Sequence, residues 1–256
     1  MDYDKLLTLG GELGYQLLLS GAEIYRVEES VRYLFTAYGV ESGGDVFAIP
    51  NCVIVGLSAP GQRPLTRIRR VPPHGTDIAK MEALNDLCRR LCGERPDLDE
   101  AWARLQAASS PRAQSPAAQL LAYFITTGAF CLFFGGTWAD ALNSGLCGLA
   151  IGLCLGLMER LGTNLFFKTT AGGFVCGLTA SLLLMLGLGS HTDLIVTGAI
   201  MALVPGLVIT NFMRDIIAGD MISGLSKLSE ALLTGTGIAL GTGLALSLIR
   251  MLGGVV

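Results

Sequence analysis

The residues best suited to chemistry in this 256-residue chain lie in one stretch after a Pro-Gly pair. Arg214, Asp215 and Asp220 follow Pro205 and Gly206 along an otherwise apolar run. An arginine guanidinium suits bidentate binding of a carboxylate. A carboxyl group whose pKa is raised by burial can hold a proton. The stretch is therefore the candidate for a polar substrate or ion pathway, with Arg214, Asp215 and Asp220 as its charged residues.

Pro205 lies near the middle of the apolar segment 194–213 and should interrupt it. Proline lacks a backbone N–H and clashes with the carbonyl four residues earlier, so the carbonyls of Met201 and Ala202 should be left free. Thr210 and Asn211 would complete a polar pocket around them. Broken helices bind substrate and ions in many secondary transporters. The alternative is a structural kink, with the charged residues simply at headgroup level.

A second charged motif, SGAEIYRVEE, occupies residues 20–29. Glu23 and Arg26 are three residues apart, which favours a solvated ion pair on one helix face over a functional role, and Glu28 belongs to the same motif. No serine elbow or metal-ligand motif accompanies it. We therefore expect no catalytic residues, no metal site and no cofactor.

The charges are unevenly distributed along the chain. Residues 1–115 contain 28 charged residues and residues 116–256 contain 11. This contrast predicts a soluble amino-terminal domain followed by a membrane domain. A net charge of −3 gives no general electrostatic case for nucleic-acid binding. Seven cysteines, an odd number, imply no disulfide framework.

Residues 116–256 contain five apolar segments that could each cross a bilayer as a helix of about 20 residues. Their ranges are 118–134, 138–158, 166–186, 194–213 and 228–249. Basic residues flank alternate connections, which predicts a cytoplasmic amino-terminal domain and an external carboxyl terminus in the inner membrane. The apolar spacing over 211–227 fits an interfacial or a re-entrant segment. Glycines repeat every fourth residue in the second, third and fifth segments and predict tight helix packing.

Residues 1–115 predict an α+β domain in the order ααβββαα. The expected helices cover residues 3–19 and 24–38, the strands 45–49, 52–58 and 65–71, and two further helices 77–91 and 98–106. Thr76 or Asp77 and then Asp97 or Asp99 should cap the last two helices. The stretch 107–116 reads as a linker to the membrane domain.

Taken together, these motifs resemble the threonine/serine exporter (ThrE-type) family over essentially the whole chain. The resemblance is carried by GAEIYRVE at 21–28, LVPG at 203–206, Asn211, Arg214-Asp215, Gly219-Asp220, Gly224 and Glu230-Ala231. It implies a secondary exporter of threonine, serine or a related small carboxylate, driven by the proton gradient.

The resemblance also implies a partner. Fused members carry a second block of spans, so this chain is similar to the first half of the split type, which works with a second small membrane subunit in a hetero- or homo-oligomer. In that branch, export of a dicarboxylate such as succinate is the alternative. A function of another class, a membrane-anchored enzyme or sensor using residues 1–115, is disfavoured because an anchor needs only one or two spans.

Overall fold

The computed structural model describes residues 2–40, 44–58, 63–72, 75–110 and 115–252 and is mostly helical with one small sheet. In chain order its elements are α1 (Tyr3–Leu19), α2 (Ile24–Ala37), β1 (Gly44–Ile49), β2 (Cys52–Leu57), β3 (Leu65–Arg70), α3 (Ile78–Glu94), α4 (Leu98–Ser109), α5 (Pro116–Phe133), α6 (Trp138–Arg160), α7 (Leu165–Met185), α8 (Thr192–Ile200), α9 (Gly206–Ala218) and α10 (Met221–Met251). The first seven elements follow the predicted order. Of the predicted linker, residues 111–114 lie outside the described residues.

The chain divides into two compact units. The first contains Met1–Arg112 together with Thr210–Lys227, and the second contains Ala113–Ile209 together with Leu228–Val256. The segment 210–227 was expected to be membrane-associated from its sequence. By its contacts it belongs with the amino-terminal residues, so each unit is described separately below.

The first unit is built on an antiparallel sheet in the order β1-β2-β3. Alternate residues of β2, Val53, Val55 and Leu57, are buried, as expected for a sheet with one covered face. Leu6, Leu9 and other leucines of α1 form the core with them. Asp77 and Asp97 accept backbone N–H groups at the starts of α3 and α4, which confirms one of the two predicted caps for each helix.

Among the described residues, four helices are long and apolar enough to cross a membrane: α5, α6, α7 and α10. Three of them match predicted spans within two residues. The predicted fourth span does not form one helix, because α8 ends at Ile200 and α9 begins at Gly206. The count of five continuous spans is therefore not confirmed.

The segment 211–227 is not a separate amphipathic helix. It contains the end of α9, a turn at Gly219, whose φ is +94°, and the first residues of α10. A positive φ favours glycine because other residues clash there. The last helix consequently begins at Met221, seven residues before the predicted start at Leu228.

Close helix contacts in the second unit use glycine and small hydroxyl side chains. A Cβ added at Gly173 of α7 would lie 2.7 Å from the backbone oxygen of Ile238 on α10. Thr127 and Ser144 donate to each other's backbone oxygens, at 2.9 and 3.0 Å, and thereby join α5 to α6. These contacts are the expected means of packing helices in lipid.

The start of α8 is fixed by a buried carboxylate. Asp140 forms a capping box with Thr137 at the start of α6, and the same carboxylate accepts the backbone N–H of Ser190 at 2.8 Å. His191 Nδ1 lies 3.0 Å from the other carboxylate oxygen. The loop before α8 is therefore anchored to α6, and this sets the position from which the broken helix starts.

Candidate functional site

The interruption between α8 and α9 leaves backbone acceptors outside the regular helix pattern. Pro205 has no N–H, and Gly206 donates to the carbonyl of Val204 at 2.9 Å. The carbonyl of Met201 therefore receives no backbone hydrogen bond from position 205, four residues later, because proline has no N–H to donate. The predicted break is confirmed. Because α8 has nine residues, it extends only about 13 Å before the break, less than half of a bilayer core of about 30 Å.

A cavity of about 280 Å³ lies beside this break in the second unit. Ala202 and Leu203, from the interruption itself, form part of its wall. The rest comes from the start of α5, the end of α6 and the start of α7. Polar lining residues are Gln119, Tyr123, Glu159, Lys168 and Thr169. The cavity is small, which suits a small metabolite.

The cavity contains one residue of each charge. Glu159 lies at the last turn of α6 and Lys168 in the first turn of α7. Neither forms an ion pair with any residue that the structure describes. Ionisable residues near membrane spans are costly to retain and generally mark substrate or ion pathways. An ammonium and a carboxylate group could therefore both find an opposite charge in this cavity.

In the first unit, Arg214 is paired with the amino-terminal motif. Its Nη1 donates to Glu23 Oε1, and Arg26 Nε lies 2.6 Å from Glu23 Oε2. The predicted Glu23–Arg26 ion pair is therefore present. Glu23 is not solvated, however, because its side chain is only 10% exposed and it precedes α2 as the N-cap. The motif therefore joins α2 to α9.

Asp215 is completely buried and forms a second polar cluster in the same unit. Its Oδ2 accepts from Ser223 Oγ at 2.5 Å and from Lys227 Nζ at 2.8 Å. Its other oxygen, Oδ1, is buried with no hydrogen-bond partner among the described residues. Buried carboxyl oxygens are normally satisfied. The described contacts of this carboxylate are therefore all made by Oδ2.

The remaining predicted residues are distributed around these clusters. Asp220 lies between α9 and α10, and burial together with the nearby Asp215 raises its pKa above the ordinary 3.8. Thr210 and Asn211 lie on α9, Thr210 exposed and Asn211 partly buried. Glu28 accepts the Ala48 N–H at 3.0 Å and pairs with Arg32, so it ties α2 to β1.

Comparison with known proteins places these features in a family. The family model of the threonine/serine exporters, ThrE, matches residues 9–249. The chain belongs to the threonine/serine exporter family. A protein of Mycobacterium tuberculosis described as a probable threonine/serine exporter is 24% identical over 243 residues, which cover 93% of this chain and 45% of that protein. The chain thus spans less than half the length of this curated relative. No solved structure matches the chain.

Membership of this exporter family, together with several apolar helices, makes the chain a multi-pass membrane protein. Sequence reasoning missed the residues that line its membrane cavity, Gln119, Glu159 and Lys168. Glu159 carried no prediction and Lys168 was expected only to flank a connection between spans, although a charged residue within a turn of an apolar span was the signal available. Lys227 was likewise read as a flanking charge, whereas it is paired with buried Asp215.

Proposed function

We propose that this chain is a subunit of a secondary exporter for small carboxylate-bearing metabolites of the threonine and serine type. The observation that carries the proposal is the break at Pro205 beside a cavity that contains Lys168 and Glu159, in a member of an exporter family. Irregular backbone within a membrane is tolerated where it lines a cavity or is buried in protein. A binding role explains why the chain keeps both the break and the charges.

The charges of the cavity favour an amino acid over a dicarboxylate. Lys168 would attract the carboxylate of a bound amino acid and Glu159 its ammonium group. Succinate, the alternative substrate, carries two negative charges and would place one of them near Glu159. An unpaired like charge in a site disfavours the wrong ligand. We therefore assign threonine or serine as the substrate.

Proton coupling is assigned to Asp215 and Asp220. Asp215 has an oxygen without a described partner, and the raised pKa of Asp220 makes protonation easier than for a solvated carboxyl. Arg214 remains our candidate for drawing the substrate carboxylate toward the pathway. Since Arg214 is engaged by Glu23, a carboxylate that binds it would compete with that pair.

We also propose a second small multi-span membrane subunit as partner, with the amino-terminal residues in the cytoplasm and the carboxyl terminus outside. The curated relative is more than twice as long as the segment that matches this chain. The basic residues between the spans support the orientation.

The test uses everted membrane vesicles from cells that produce the chain, alone or with a small multi-span protein encoded beside it. Labelled threonine, serine and succinate are supplied outside, and a pH gradient is imposed. We expect threonine or serine to accumulate, accumulation to collapse with a protonophore, and Lys168→Met or Pro205→Ala to reduce the initial rate at least tenfold, as for loss of about 1.4 kcal/mol of binding.

The matched control is Arg160→Gln, which removes a neighbouring positive charge that does not line the cavity. Equal rates for wild type, Lys168→Met and Pro205→Ala at equal protein levels would refute the assigned site. Preference for succinate would refute the assigned substrate. Flux that is independent of the proton gradient would indicate a channel.

A further inference from the structure

A groove of about 740 Å³ lies between α2 and α3 in the first unit. The transport proposal does not use it. Its α2 side includes Tyr25, Arg26 and Tyr33, and its α3 side includes Arg89 and two cysteines. Ligand cavities are commonly about 300–1,000 Å³, so the groove is large enough for a molecule the size of a short peptide.

The two cysteines, Cys88 and Cys92, are one helical turn apart and both line the groove. Cys88 is buried, with its Sγ 3.5 Å from the backbone oxygen of Ser30 on α2. Cys92 is partly exposed. A buried thiol next to an accessible one provides the two positions that thiol–disulfide exchange requires, one that is attacked from solution and one that resolves the product.

The surroundings give the two thiols different pKa values. A hydrogen bond from Cys88, with a further contribution from Arg95, lowers the pKa of Cys92 to about 7. The same hydrogen bond and burial raise the pKa of Cys88 well above its ordinary value. Charged and titratable groups near this end of the groove come from α2, α3 and α4: Tyr38, Arg89, Arg95, Asp97, Glu100 and Arg104. Cys92 is therefore the thiolate near neutral pH.

The groove also suggests which oxidant would reach Cys92. Arg89 lines the groove and forms no ion pair within the described part of the chain, and Arg26 adds a second guanidinium. The wall also contains one carboxylate, Glu29, which accepts a hydrogen bond from the Tyr33 hydroxyl, so the arginines leave a net positive charge. Two tyrosine rings supply apolar wall. Arg26 is already shared with Glu23, so Arg89 is the stronger attraction for a carboxylate. A disulfide that carries carboxylates and a peptide backbone suits these surroundings better than a cationic one.

We propose that Cys88 and Cys92 form a thiol–disulfide exchange site that reacts with a low-molecular-weight anionic disulfide bound in the α2–α3 groove. The Cys92 thiolate attacks one sulfur of the disulfide, a mixed disulfide forms on Cys92, and one thiolate leaves. Cys88 then loses its proton and attacks Cys92 Sγ, which releases the second thiolate. The two protein thiols are oxidised and the small disulfide is reduced, so atoms and electrons balance.

The resulting bond would be readily reversible. Side chains one turn apart on a helix have Cβ atoms about 5–6 Å apart, whereas a disulfide requires about 3.5–4.5 Å. Forming the bond must tighten α3 locally, and strained disulfides are the easily reduced ones. Oxidation also removes the thiol proton that Cys88 can share with the Ser30 carbonyl of α2. Oxidation of the two cysteines therefore changes the contact between α2 and α3.

The experiment treats the full-length protein in detergent with oxidised glutathione and maps modified cysteines by mass spectrometry. We expect a Cys88–Cys92 disulfide in wild type, an accumulating glutathione adduct on Cys92 in Cys88→Ser, and no adduct at either position in Cys92→Ser. Cys52, partly exposed on the sheet, is the internal reference. At pH 7 a thiol of pKa about 7 is half ionised, and with its lower nucleophilicity it should react about threefold faster than an unperturbed cysteine.

Two further measurements distinguish this site from ordinary surface thiols. The rate in Cys88→Ser with the neutral reagent 2-hydroxyethyl disulfide should be unaffected by Arg89→Gln, whereas the rate with oxidised glutathione should fall at least threefold. Each cysteine variant keeps the other six cysteines. Its folding is checked by comparing its elution profile in size-exclusion chromatography with that of the wild type. Equal labelling of Cys92 and Cys52 would overturn the proposal. So would a glutathione adduct that forms on Cys88 in Cys92→Ser as fast as the adduct on Cys92 forms in Cys88→Ser.

Discussion

The buried pair between Asp215 and Lys227 gives a quantitative prediction. Asp215 is fully buried and the Lys227 side chain is only 17% exposed, with Nζ 2.8 Å from the carboxylate. Removing one partner of a buried ion pair costs about 3–5 kcal/mol because the other charge is left without compensation. Lys227→Met should therefore destabilise the first unit by about that amount, since Ser223 remains as a single donor to the carboxylate.

The double variant Asp215→Asn/Lys227→Met removes both charges. Replacing a buried pair with uncharged groups is often close to neutral, so we expect the double variant to recover most of the loss and the coupling free energy to exceed about 2 kcal/mol. At about 2–4 °C per kcal/mol for a chain of this size, Lys227→Met should lower Tm by roughly 6–20 °C.

The assay is thermal unfolding in detergent, followed by tryptophan fluorescence. The chain has two tryptophans, and Trp138→Phe leaves Trp102, which packs against the core of the first unit, as the reporter. The matched control is Lys5→Met, because Lys5 forms a pair of similar length with Asp99 in which both side chains are exposed. That substitution should leave Tm unchanged, since solvent screens an exposed pair.

The reasoning is refuted if Lys227→Met and Lys5→Met shift Tm equally, or if the double variant is as unstable as the sum of the two single ones. Equal shifts would mean that the Asp215 carboxylate is not desolvated. An additive double variant would mean that the two charges do not interact.

Substitutions at three other sites give further tests. Gly241→Ala should lower Tm, because a Cβ at position 241 would collide with the backbone of α7. Gly243→Ala on the same helix should leave Tm unchanged, because a Cβ at position 243 meets open space. Thermal unfolding compares the two variants directly. Asp220→Asn should raise Tm at pH 7, because the raised pKa of Asp220 means that its ionised carboxylate destabilises the folded protein. The gain in Tm should disappear as the pH falls toward 3.8, where the carboxyl is protonated. A series of Tm values measured at different pH tests this. Glu23→Gln should cost about 1–2 kcal/mol, since both arginines it binds are half-exposed, and Arg214→Gln in the same background should add little to the loss of Tm.

Features that depend on neighbouring residues could be predicted from the sequence. The helix caps at Asp77 and Asp97, the three short strands and the break at Pro205 are determined within a few residues of each position. The start of the last helix was harder to place, because Lys227 resembles the flank of a span. Asp215, twelve residues earlier, accepts a hydrogen bond from the Lys227 ammonium group, and the helix begins at Met221.

Features that depend on distant residues could not be predicted. Glu23 and Arg214 are 191 positions apart, and no periodicity connects them. The membrane cavity combines the start of α5, the end of α6, the start of α7 and two residues of the break. Such a site depends on how helices pack, and hydropathy alone indicates only that the helices exist.

The first unit takes residues from two parts of the chain separated by nearly a hundred positions. A ribosome that reads from the amino terminus must synthesise α5 to α8 before Arg214 and Lys227 exist. The amino-terminal portion therefore leaves the ribosome with the Glu23 carboxylate still lacking one of its two cations, and a fragment cut at residue 110 would retain that deficit permanently. The first unit can therefore complete its ion pairs only after α5 to α8 have been synthesised.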